Sequence, residues 1–128
     1  MTPERLAAEQ LLHKLYAARV AGQVEPLCAL FHPGARFRIA GSSDGNPIAL
    51  IASGALDIRS WLAILLKTFR LERYEQLSML LDGARAAVHW RADIHSRITG
   101  SVVGTELVDL IEINSGLIVS YVEFFVPR

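Results

Sequence analysis

Eight consecutive residues, Val88-His89-Trp90-Arg91-Ala92-Asp93-Ile94-His95, alternate apolar with ionisable side chains. In a strand, successive side chains leave opposite faces. Val88, Trp90, Ala92 and Ile94 therefore share one face, and His89, Arg91, Asp93 and His95 share the other. Arg91 and Asp93 are next-but-one neighbours, within reach of an ion pair. Antiparallel sheets commonly wet one face, so the ionisable row can be a solvent side. The functional alternative turns Arg91 and Asp93 inward, toward an apolar hollow. Asp93 would then move protons, Arg91 would orient it and hold its charge, and His89 would stand at the mouth.

Two later carboxyl groups supply partners for such chemistry. Val103, Thr105, Leu107, Asp109, Ile111 and Ile113 share one strand face, where Asp109 is the lone acid. Leu117, Val119, Tyr121, Glu123 and Phe125 share another, with Glu123 alone among large apolar groups. An isolated buried carboxylate is costly unless paired or hydrogen-bonded. It is also where a raised pKa makes acid/base chemistry possible. Two carboxyl groups in unequal surroundings divide into donor and acceptor. The alternative for each is a satisfied structural carboxylate or an edge open to water.

Other candidates are weaker. Cys28 and His32 stand four apart, a spacing at which helical side chains meet, but a free thiol beside Leu27 and Leu30 reads as a small packed hydrophobe. His13, His32, His89 and His95 lack close ligand spacing; His89 and His95 are about 20 Å apart along a strand, so no metal site is expected. Gly41-Ser42-Ser43-Asp44-Gly45 lacks the lysine and following helix of a phosphate loop. Arg36 and Arg38 share a strand face that reads as solvated.

The elements that must carry these residues can be read from spacing. Thr2 can cap a helix that begins at Pro3, and Ala8, Leu11, Leu12, Leu15, Tyr16 and Val20 form one stripe ending near Gly22. A short helix is predicted over 24–31, stopped by Pro33-Gly34. Residues 35–40 alternate as a strand, 41–47 read as a polar loop, and 48–52 as a short strand. A third helix is expected over 56–68, with Ile58, Trp61, Leu62, Leu65 and Phe69 on one face. Strands follow over 70–81, 84–98, 101–114 and 117–126, separated by Asp82-Gly83, Thr99-Gly100 and Ser115-Gly116. Helices first and a four-strand meander later describe an α+β domain with helices covering one curved sheet.

Composition bounds the remaining possibilities. The chain has 128 residues, of which 52% are hydrophobic and 20% charged, enough for one real core. Lys plus Arg and Asp plus Glu each number 13, a balance without the basic excess of a nucleic-acid binder. A single cysteine and the lack of a long apolar run lead to the expectation of one cytoplasmic domain over 1–128, with no membrane partner.

The stretches "LLHKLYAARVAGQVEPLCALFHPGARFRI", "SGALDIRSWLAILL" and "GTELVDLIEINSGLIVSYVEFFV" resemble, in that order, the NTF2-like superfamily, and within it the SnoaL-like and ketosteroid-isomerase-like branches. The resemblance implies a cystatin-like cone: a curved antiparallel sheet wrapped around N-terminal helices, with an internal apolar pocket, in a protein that is commonly a homodimer. Ketosteroid isomerases combine a helix-1 Tyr, a first-strand Asp base and a late-strand Asp. Asp109 matches the last; the base position falls on Ile39, and the Tyr position falls nearest Leu15, one residue from Tyr16. The chain is also similar to limonene-epoxide hydrolases, whose Arg-x-Asp pair falls on Arg91 and Asp93 and whose last-strand Asp falls on Glu123. Their first-strand water anchors fall on Phe37 and Ile39, which cannot hold a water.

The resulting expectation is a small-molecule enzyme of isomerase, cyclase or epoxide-hydrolase type, without metal or organic cofactor. Asp93, Arg91, Asp109 and Glu123 would act, and Tyr16, Phe37, Ile39, Trp61, His89 and Tyr121 would line the pocket around a small hydrophobic molecule. The alternative is a non-catalytic binding module or dimeric scaffold, which the apolar Phe37 and Ile39 favour.

Overall fold

The computed structural model describes residues 2–43 and 46–127, the side chains of 43 and 46–48 excepted. Helix α1 spans Pro3–Ala21, α2 Val24–Cys28 and α3 Ala55–Thr68; the strands are β1 Phe31–Ser43, β2 Asn46–Ser53, β3 Phe69–Asp82, β4 Arg85–Ser96, β5 Val102–Asn114 and β6 Leu117–Pro127. Thr2 caps α1 by accepting from the Arg5 amide, and Gly22 closes it in the left-handed conformation, at φ 70°.

The six strands form one curved sheet in the order β2-β1-β6-β5-β4-β3. Strands β3 to β6 are the expected antiparallel meander. The remaining hairpin, β1 with β2, joins it through a parallel pairing of β1 with β6. The turn between β5 and β6 places Ser115 and Gly116 both at positive φ, the backbone twist that a tight hairpin requires.

The helices cover one face. Leu11, Leu12, Leu15 and Tyr16 of α1 and Ile58, Leu62 and Leu66 of α3 pack onto Phe37, Ile39, Val88, Trp90, Leu107, Ile111 and Tyr121 of the sheet. No helix among the described residues is long and apolar enough to cross a membrane.

Several expectations shift in detail. The α1 stripe ends on Ala18 and Arg19, while Val20 is exposed. Helix α2 stops at Cys28, because Phe31 already pairs with Ile118 and the Leu30 carbonyl accepts from the Ile118 amide. Cys28 and His32 therefore do not share a helix. The polar loop predicted over 41–47 is largely strand, as β1 runs to Ser43 and β2 starts at Asn46; Asp44 and Gly45 lie outside the described residues. A bulge against Glu112 and Ile113 breaks the alternation of β6, burying Ile118 in place of Val119.

Gly41 sits under the Phe125 ring, where an added Cβ would stand 2.5 Å from Phe125 Cε1. Gly41→Ala is therefore expected to destabilise by about 1–3 kcal/mol through overpacking. Urea denaturation measures this, and a second change, Phe125→Leu, should restore most of the loss.

Candidate active site around Asp109

Asp109 lies midway along β5 with its side chain fully buried under α1. Helix periodicity brings Tyr16 of α1 to it, and the Tyr16 hydroxyl donates to Asp109 Oδ2. Trp90 Nε1 donates to the same oxygen from β4 at 2.8 Å, and the Tyr121 hydroxyl donates from β6 at 2.7 Å. Oδ1 receives nothing; among the described residues it is the one buried side-chain polar atom without a hydrogen-bond partner.

Glu123 is the second buried acid, placed beside Asp109 by the pairing of β5 with β6. Arg19, one helical turn past Tyr16, donates to Glu123 Oε2. Arg19 Nη1 also donates to the Tyr121 hydroxyl at 2.7 Å and stands 4.0 Å from Asp109 Oδ2. Its guanidinium lies over the Trp90 ring, 5.0 Å from the centroid, a cation–π arrangement. The single Tyr121 proton serves Asp109, since the Glu123 contact is longer at 3.2 Å.

Electrostatics set the protonation states. Burial, and then the Glu123 charge, raise the Asp109 pKa well above the ordinary aspartate value, against the opposing pull of Arg19 and the tyrosine hydroxyls. With Oδ2 saturated by donors, the proton belongs on Oδ1. Burial likewise raises the Tyr16 and Tyr121 hydroxyls well above ordinary tyrosine. Burial alone would lower Arg19, but Glu123, Tyr121 and Asp109 outweigh it, so Arg19 keeps its charge firmly.

The structure separates the expected quartet. Asp109 and Glu123 are together on the covered face, but Arg91 and Asp93 point to the opposite side of the sheet. Arg91 pairs with Glu75 at 2.6 Å, both exposed, and the half-buried Asp93 faces the exposed Arg73 at 3.6 Å. This corrects the inward orientation expected of them: Val88, Trp90 and Ala92 are the buried side of β4, so their alternates must face out. His89 is on that outer face too, against Glu106 at 3.0 Å. Trp61 is part-exposed on α3 and does not reach the cluster.

Of the remaining expected lining residues, Tyr16 and Tyr121 hold Asp109 directly. Phe37 stacks on Tyr121 at 5.3 Å, and Ile39 is in register with Glu123. Tyr16, rather than Leu15, is the α1 residue that meets Asp109. Arg19, Trp90 and Tyr74 were not singled out from sequence. Arg19 was legible in principle, since it continues the Leu12-Leu15-Tyr16 stripe at helical spacing. Trp90 was placed on the right face but given no polar role. Two clefts of about 400 Å³ open elsewhere, one between Leu80, Ala87, Leu110 and Val122 and one between Arg73, Glu75, Arg91 and Asp93; neither is lined by Asp109 or Glu123. Among the described residues, no group of three or more His, Cys, Asp or Glu could hold a metal ion.

The profile of the SnoaL-like domain family matches residues 12–121. This chain belongs to the SnoaL-like domain family. Its fold is that of the NTF2-like, ketosteroid-isomerase-like proteins. A provisionally assigned isomerase from Bacillus subtilis superposes with a TM-score of 0.83 at 19% identity, over 98% of this chain and 90% of that one. A steroid delta-isomerase from Pseudomonas aeruginosa gives 0.68 at 21% identity, over 100% and 85%. An LEH-like epoxide hydrolase from M. tuberculosis gives 0.73 at 12% identity, over 94% and 84%. No curated protein matches by sequence. At these identities the likeness establishes the SnoaL-like fold.

Two tests address the site's energetics. Folded Asp109 keeps its proton above the pH, about 3.9, at which an unfolded aspartate releases it. The native state then binds more protons than the unfolded one in that window, so this group makes stability fall as pH rises through it, by up to about 1.4 kcal/mol per pH unit, and level off beyond. Denaturation curves of the parent and Asp109→Asn, compared at successive pH values upward from about 4, should differ by that slope until it levels off. Arg19→Met leaves Glu123 buried without its cation and should cost about 3–5 kcal/mol, most of it recovered in Arg19→Met/Glu123→Gln.

Proposed function

We propose that this protein is a small-molecule enzyme of isomerase, cyclase or epoxide-hydrolase type, using Asp109 as a general acid and hydrogen-bond donor to a small hydrophobic substrate. The carrying observation is the partnerless Oδ1 of a buried carboxyl whose other oxygen accepts three hydrogen bonds, and burial favours the protonated form of that carboxyl. A substrate oxygen at Oδ1 supplies the partner that the fold withholds. On giving up its proton, Asp109 becomes an anion already held by Tyr16, Trp90 and Tyr121, with Arg19 4.0 Å away. Those donors need no reorganisation when the charge develops. Glu123, fixed by Arg19, is the second proton-handling group, linked to Asp109 through the Tyr121 hydroxyl. Carboxyl acid/base chemistry of this kind requires neither a metal nor an organic cofactor.

The arrangement also supports a second reading, a binding module or scaffold. Asp109 has no exposed surface, and the first-strand positions Phe37 and Ile39 are apolar, so the cluster can serve as a hydrogen-bonded polar core. In either reading we propose a homodimer, because the uncovered sheet face exposes Leu80, Leu110, Phe124 and Val126. Equilibrium sedimentation measures that association.

The functional test is turnover of a panel of enolisable ketones and small epoxides by the parent and Asp109→Asn. The general-acid reading expects a loss of about 10²–10⁴-fold with the fold retained, while Arg91→Ala and Asp93→Asn stay near the parent. Carboxyl ¹³C NMR supplies an independent readout: Asp109 ionised at neutral pH, together with no turnover of the panel by the parent, establishes the scaffold reading instead, while turnover undiminished in Asp109→Asn removes Asp109 from the chemistry.

A further inference from the structure

We propose that Tyr74 is the gate and specificity-setting residue of the Asp109 site, and that its ring holds the place of a flat aromatic ligand carrying a hydrogen-bonding oxygen. The proposal rests on the acid/base reading only in taking Oδ1 as the atom that meets the ligand.

Tyr74 stacks on Tyr16 with ring centroids 5.7 Å apart and planes at 25°. It also contacts Trp90 at 5.6 Å and 46°. Those two rings are buried and are two of the three that donate to Asp109, Tyr121 being the third. Tyr74 itself is half-buried, so its ring is the solvent-side member of this three-ring stack over the Asp109 donors. Among the described residues its hydroxyl makes no hydrogen bond, so stacking alone holds it in place. A buried tyrosine usually finds a partner for its hydroxyl; here the ring contributes its faces only.

The backbone beneath Tyr74 suits displacement. Strand β3 is the sheet edge, paired on one side only. Its register with β4 breaks there: Glu72 faces Asp93 and Glu75 faces Arg91, leaving Arg73 and Tyr74 opposite Ala92 alone. Arg73 has φ 52°, a conformation that non-glycine residues rarely adopt. Bulges of this kind re-aim a side chain, here turning Tyr74 inward onto α1.

These features define a ligand. Its planar ring replaces Tyr74 on the faces of Tyr16 and Trp90, and its oxygen reaches the partnerless Oδ1. Aliphatic molecules lack the stacking geometry, and bare aromatic hydrocarbons leave Oδ1 unpaired.

The test titrates 2-naphthol and naphthalene separately into the parent, Tyr74→Phe, Tyr74→Ala and Tyr74→Ala/Asp109→Leu, following the Trp90 indole N–H resonance, assigned with Trp61→Phe. Tyr74→Phe should bind 2-naphthol as the parent does, because the hydroxyl has no partner. Tyr74→Ala should bind it at least ten-fold more tightly than the parent. In Tyr74→Ala, 2-naphthol should outbind naphthalene by at least ten-fold, and that preference should vanish when Asp109 is Leu. Equal binding of both probes by Tyr74→Ala would mark a simple truncation hollow and overturn the proposal, as would an unchanged affinity on removing the ring. If Tyr74→Ala does not fold, Tyr74→Leu carries the same comparison. The binding preference does not require turnover, so failure of the catalytic reading, seen in the Asp109→Asn rates, is separable from failure of the gate.

Discussion

Burying one carboxyl group organises this protein's interior. Asp109 stands where the aliphatic rhythm of β5 calls for another branched side chain, and the fold surrounds it with three donors from three different elements. Such a group unpaired would cost several kcal/mol. Tyr16, Trp90 and Tyr121 are each large, apolar in body and polar at one tip, so they satisfy Oδ2 while keeping the surroundings apolar. Adding Glu123 forces the recruitment of a cation, and Arg19 supplies it from the last turn of α1. The order of dependence is acid, then donors, then second acid, then guanidinium.

That order explains what could be read in the chain. Alternation along β4 and β5 gives both sheet faces correctly, and lone acids among aliphatic residues at 109 and 123 mark the covered side. Alternation defines two faces without stating which one lies under the helices. For β4 the deciding clue was the companion row: Val88, Trp90 and Ala92 are too apolar to be the wet side, which sends Arg91 and Asp93 outward to Glu75 and Arg73.

Arg19 and Tyr74 illustrate two kinds of hidden residue. A cation at the end of an amphipathic stripe looks like the point where the stripe gives way to solvent, and only the three-dimensional meeting with Glu123 shows that it continues inward. Tyr74 depends on a register break in an edge strand, and bulges leave little trace in residue pattern. The bulge in β6 similarly moved burial from Val119 to Ile118. The helices, the meander and its turns rest on local signals, and they lie close to where spacing placed them.

The parallel seam between β1 and β6 has a consequence for how the molecule is made. Strands β1 and β6 are neighbours in the sheet yet far apart in sequence, Phe37 standing opposite Tyr121. During synthesis, α1 and β1 emerge with their partner still untranslated. Tyr16 and Arg19 gain their acidic partners only once Asp109 and Glu123 have left the ribosome. Contacts of such long sequence separation pay their loop-closure entropy before any reward arrives, which places folding toward the slow, millisecond-to-second range. Until then the exposed flank of β1 is an unpaired strand edge, the kind of surface on which chaperones act and nascent chains aggregate.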